Sequence, residues 1–113
     1  MKKAHFILDL WLENREILKQ VEPLRTILSE AVERSGAKIL HTHFHQFQPH
    51  GFSGFFLIAE SHVSVHVWVE ENLMALDILS CGRVDGQKIM DHLRKHLNPV
   101  REKIIEVSRG KSE

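Results

Sequence analysis

Residues 60–70 read Glu60-Ser61-His62-Val63-Ser64-Val65-His66-Val67-Trp68-Val69-Glu70. Valine recurs at every second position from 63 to 69, and a β-strand puts such a period on one face. A strand over 62–70 therefore turns Val63, Val65, Val67 and Val69 toward a core. Its other face carries His62, Ser64, His66, Trp68 and Glu70. The outer face of a half-buried sheet is one account of that row. An indole between an imidazole and a carboxylate asks for cover, however, which makes the row a candidate site.

Working outward, 52–60 is a second apolar strand. It is reached from a strand at 37–47 through the turn Gln48-Pro49-His50-Gly51. On the other side lies a strand at 73–80. The connection Glu71-Asn72 is short enough to require antiparallel pairing. Residues 4–12 read as a first strand and 99–107 as a last one. Asn14 can cap a helical segment that Pro23 interrupts. The main first helix is 23–35, with Leu24, Ile27, Leu28, Ala31 and Val32 on one stripe, Pro23 in its first turn and Gly36 ending it. A second helix runs over 85–97, capped by Asp85, with Ile89, Leu93 and Leu97 aligned. The tail 108–113 is polar and expected to fray. The order β-α-β-β-β-β-α-β predicts an α+β fold: a two-layer sandwich, mostly antiparallel, with two helices covering one face of the sheet.

A chain of 113 residues makes one domain and closes a core without staples. Fifteen Lys+Arg balance fifteen Asp+Glu, which argues against a nucleic-acid footprint or a polybasic membrane surface. Apolar runs such as 55–59 fall far short of the roughly 20 residues that span a bilayer. Asp9 and Glu13 interrupt the start, so no signal peptide is expected. The single cysteine, Cys81, cannot form a disulfide within the chain. A cytoplasmic protein is the expectation. Nine histidines are many for this length. His41, His43 and His45 share one strand face, spaced about 6.6–7 Å apart, so they cannot close a tetrahedral metal site alone. A pH-sensitive surface or interface suits them better.

The stretch from Glu60 to Glu70 closely resembles the Glu-Ser-His-x-Ser-x-His-x-Trp-Pro-Glu signature of the prokaryotic S-adenosylmethionine decarboxylase proenzyme family. Phe47-x-Pro49-x-Gly51-x-Ser53-Gly54 and Asp77-x-x-x-Cys81-Gly82 resemble two further blocks of that family, in register and without gaps. The resemblance spans roughly 4–108, and three blocks in register are far more specific than one short motif.

The resemblance implies self-cleavage between Glu60 and Ser61 into a β-chain, 1–60, and an α-chain, 61–113. The Ser61 hydroxyl attacks the Glu60 carbonyl and turns the amide into an ester. Elimination frees the Glu60 carboxylate and leaves dehydroalanine, which hydrolyses to a pyruvoyl group and ammonia. Such a step needs a nucleophile, a base and an oxyanion stabiliser, and the resemblance gives the supporting roles to Ser53 and His66. The pyruvoyl group then serves as the electron sink for decarboxylation, without pyridoxal phosphate and without a metal. Cys81 reprotonates the substrate carbon. Phe47 and Trp68 stack the adenine, and Glu70 holds the ribose. A hairpin centred near residue 61 is expected to bring Ser53 and His66 close to Ser61. The resemblance also implies a homodimer, with the face carrying Trp68 and the histidines as its contact surface.

The chain departs from the family pattern in places. Val69 replaces the proline after Trp68, and Glu71-Asn72-Leu73 replaces an aromatic-Gly-aromatic run. Glu13-Asn14 stands where the family has Gly-Cys-Asp, and Phe52 and Phe55 add two rings. A valine at 69 is free to donate to a sheet ladder. These changes are expected near the substrate pocket, so the same chemistry on arginine or ornithine is a second reading. An unprocessed, non-catalytic homologue acting as a binding or regulatory subunit is a third.

Overall fold

The computed structural model describes residues 3–82 and 84–110. Six strands form one sheet: β1 (Lys3–Trp11), β2 (Ile39–Gln46), β3 (Phe52–Ile58), β4 (Ser61–Trp68), β5 (Leu73–Cys81) and β6 (Arg101–Arg109). Their order is β2-β3-β4-β5-β1-β6, and every neighbouring pair is antiparallel. Helices α1 (Leu24–Arg34) and α2 (Gly86–Leu97) cover one face, as the patterning predicts.

The valine period does what a strand period requires. Val63 and Val65 are fully buried and Val67 partly so. They pack with Leu8 and Leu10 of β1, Phe52 and Phe56 of β3, and Leu76 and Ile78 of β5. The helices close this core with Leu24, Leu28 and Val32 of α1 and Ile89 and Leu93 of α2. Asp85 caps α2 as expected, accepting from the Gln87 and Lys88 amides. Gly36 follows the end of α1 at φ 91°, a left-handed conformation that glycine takes without strain. No described helix is long and apolar enough to cross a membrane.

Asn14 caps a helical segment ahead of Pro23, as expected, a 3-10 turn over Arg15–Leu18, by accepting from the Glu16 amide at 3.0 Å. Three local expectations are corrected. Pro23 is the cap position of α1 rather than part of its first turn. Strand β4 ends at Trp68, and Val69–Glu71 turn as a 3-10 segment, so Val69 does not extend the ladder. Asn72 completes that turn at φ 56° in place of the family's glycine. Its side chain donates to the Leu12 carbonyl at 2.9 Å and accepts from Arg15 at 2.8 Å, which fixes the conformation. Finally, Ser108 and Arg109 do not fray but pair with Ala4 and Lys3 at the end of β6. The expected frayed residues 111–113 lie outside the described residues.

Candidate active site

Because β3 and β4 are joined by only two residues, Ala59 and Glu60, their register is fixed from Ile58↔Ser61 to Ser53↔His66. The tight turn puts Glu60 at φ 72°, a left-handed conformation that costs a glutamate roughly 1 kcal/mol. The next residue, Ser61, is buried on the helix-covered side beside Val63. Its hydroxyl has no hydrogen-bond partner among the described residues. A residue in a left-handed conformation thus precedes a buried hydroxyl that has no partner among the described residues. On β5, the ladder pair His62↔Leu79 continues toward Cys81, which closes the same end of the sheet. Cys81 is half-buried, on the helix-free face.

At the opposite end, the Ser53 Oγ lies 2.7 Å from His66 Nδ1, on the helix-free face. With Nδ1 unprotonated, the serine O–H donates to it. A cleft of about 460 Å³ opens beside this pair. Phe47, Trp68 and Glu70 line it, together with Pro49 and His50, which the sequence reading placed in a turn without a role in the site. The rings are exposed on one side: Phe47 by 46% and Trp68 by 41%. The expectation that one hairpin gathers Ser53, His66 and Ser61 is therefore not met within one chain. Five ladder positions separate the pair from Ser61, about 16 Å along the strands. The hairpin turns at 59–60, so residues equidistant from that turn meet one another rather than the turn itself.

The two added rings also sit away from the cleft. Phe52 is fully buried in the core. Phe55 lies on the helix-free face against His41 and His43, with ring centres 6.0 and 6.3 Å apart. The sequence reading used Asp77 only as a register mark. In the structure it accepts from His5 Nε2 at 3.0 Å, and His5 packs edge-on against His62. The periodicity of β1 and β5 carries that signal, since both residues fall on the helix-free side. Among the described residues, no three His, Cys, Asp or Glu side chains converge in a way that would hold a metal ion.

Fold and site together define an α+β sandwich with a buried serine hydroxyl beside a hairpin turn and a cleft on the open face. The family model for S-adenosylmethionine decarboxylase matches residues 4–110. The chain is 38% identical over 108 residues to the S-adenosylmethionine decarboxylase proenzyme of Thermosipho melanesiensis, covering 95% of this chain and 83% of that protein. It is 39% identical over 105 residues to the proenzyme of Persephonella marina, covering 90% and 79%. The crystal structure of the adenosylmethionine decarboxylase from Aquifex aeolicus superposes with a TM-score of 0.88 at 33% identity, covering 99% of this chain and 93% of that one. A Trypanosoma brucei structure shares the fold at 18% identity and TM-score 0.70, this chain covering 45% of it. The chain belongs to the S-adenosylmethionine decarboxylase family, whose members are pyruvoyl-dependent decarboxylases. The readings as an arginine or ornithine decarboxylase and as a non-catalytic subunit gain no support from these relatives.

Proposed function

We propose that this chain cuts itself between Glu60 and Ser61 and then decarboxylates S-adenosylmethionine. The observation that carries the reading is the left-handed Glu60 directly before a buried, unpartnered Ser61 hydroxyl. Strain next to the scissile peptide raises the ground state, and a buried hydroxyl without a competing partner among the described residues is left available as the nucleophile. The pyruvoyl group derived from Ser61 supplies the electron sink, so neither a metal nor pyridoxal phosphate is called for. Cys81, at the same end of the sheet, returns the proton to the substrate carbon. Ser53 and His66 support the oxyanion and move the proton during self-cleavage. The cleft binds the nucleoside, with Phe47 and Trp68 as stacking surfaces and Glu70 as acceptor for the ribose hydroxyls.

One chain holds the two halves of this set at opposite ends of the sheet, with Ser61 turned to the helix-covered side and Ser53, His66 and Cys81 on the open face. A second copy, related by a two-fold axis through the middle of that face, lays the Ser53–His66 end of one protomer over the Glu60–Cys81 end of the other. The apolar residues between them on β3 favour such cover: Phe55 is 40% exposed and Leu57 47%. We place the resulting enzyme in the cytoplasm, consistent with a single cysteine.

Intact mass under denaturing conditions tests the reading. Fragments 1–60 and 61–113 are expected, the second lighter by one ammonia than a fragment that begins with an intact serine. A chain that stays whole, or that fails to release carbon dioxide from S-adenosylmethionine after cleavage, overturns it.

A further inference from the structure

Four backbone groups converge on the side chain of Gln46, the last residue of β2. Its Nε2, with two N–H donors, lies within hydrogen-bond distance of three carbonyls: Lys19 at 2.8 Å, Gly51 at 2.9 Å and Phe47 at 3.1 Å. Its Oε1 accepts from the Val21 amide at 3.0 Å. Two backbone bonds lie beside it: the Gly51 amide donates to Lys19, and the Phe47 amide to Gly51. One half-buried amide therefore ties the segment 19–21, ahead of α1, to the loop 47–51. That loop supplies Phe47, Pro49, His50 and Gly51 to the cleft. Gln46 itself does not line the cleft, since its side chain points to the helix-covered side of β2.

We propose that Gln46 is a positioning residue for substrate binding: it holds the 47–51 loop, and with it the Phe47 ring, in the shape the nucleoside cleft requires. The inference rests on the reading of that cleft as the substrate site. A loop held before substrate arrives need not be ordered by the substrate, so its ordering cost is absent from binding. Once substrate is bound, the loop is in place with or without the clamp. The effect therefore falls on KM rather than kcat.

Two variants test this in the full-length, self-cleaved protein. Gln46→Met keeps the length and removes every polar contact. It is expected to raise KM for S-adenosylmethionine by about tenfold and to leave kcat within about twofold. Gln46→Lys supplies N–H donors for the three carbonyls, though no acceptor for the Val21 amide, and is expected to recover most of the lost KM. Hydrogen exchange at the Phe47 and Gly51 amides should speed up in Gln46→Met and slow again in Gln46→Lys, whatever the ligand. An unchanged KM in Gln46→Met, a kcat that falls in step with KM, or a lysine variant no better than methionine overturns the proposal. If Gln46→Met does not fold, Gln46→Lys alone decides: near wild-type KM and amide protection support the clamp, and loss of both overturns it. Should the parent protein fail to bind 5′-methylthioadenosine, the cleft reading falls. The exchange rates then still report whether Gln46 holds the loop.

Discussion

Glu60 adopts a backbone conformation that glycine takes at less cost, and it sits on the acyl side of the bond proposed to break. Replacing it with glycine relieves that strain and lowers the ground state. Glu60→Gly should therefore slow self-cleavage about fivefold, the equivalent of roughly 1 kcal/mol, followed by denaturing mass spectrometry over time. A variant that cuts as fast as the parent removes strain from the mechanism. Cys81 makes a different prediction. Cys81→Ala should leave cleavage intact and lower carbon dioxide release from S-adenosylmethionine by about a hundredfold, since proton return is lost while the other groups remain. At this scale the residue types were readable from the signature blocks, but their meeting was not. A two-residue turn after Ile58 dictates that Ser53 faces His66, and only the register shows that Ser61 lies five positions away.

At the scale of elements, period two on β4 and the stripes on α1 and α2 were legible because burial alone produces them. The connection at Glu71-Asn72 was legible as an antiparallel link, but its start at Val69 was not, because the turn depends on Asn72 reaching back to Leu12, sixty residues earlier. Strand β3 carries a sharper constraint. A Cβ on Gly54 would collide with the Phe44 ring, which is itself packed against Phe52 and Phe56. Gly54→Ala should destabilise the fold by about 1–3 kcal/mol in urea unfolding. Wild-type stability there would mean that Phe44 yields freely. Between the helices, burial holds the His92 imidazole below its usual pKa, and His96, Arg34 and Lys95 push the same way against Glu30. Its rings stack on His96 at 4.0 Å. A group whose folded pKa is depressed favours its neutral form in the fold, so the unfolded chain takes up the proton first. Stability from this site is present above about pH 6.5 and declines as pH falls below it. Thermal melts across that range should show the decline, and His92→Gln should flatten it. A parallel slope in the variant assigns the effect elsewhere.

For the whole molecule, the uncovered face sets the expectation. Light scattering should report two chains per particle, against a single-chain mass of 13.1 kDa. Co-expression gives a finer check. Ser61→Ala and His66→Ala should each fail to cleave alone. Together, the His66→Ala chain should be cut, since the other copy's intact His66 then lies over its Glu60–Cys81 end. No cleavage on mixing would mean that each chain processes itself unaided. The strand order carries a last consequence. A cut after Glu60 assigns β1, β2 and β3 to one piece and β4, β5 and β6 to the other. Across the sheet the ownership runs first, first, second, second, first, second, so β1 is gripped on both sides by strands of the other piece. The halves are dovetailed like the fingers of two hands. The severed backbone cannot separate without tearing three ladders, and the nicked protein should melt in a single cooperative step as though it were still one thread.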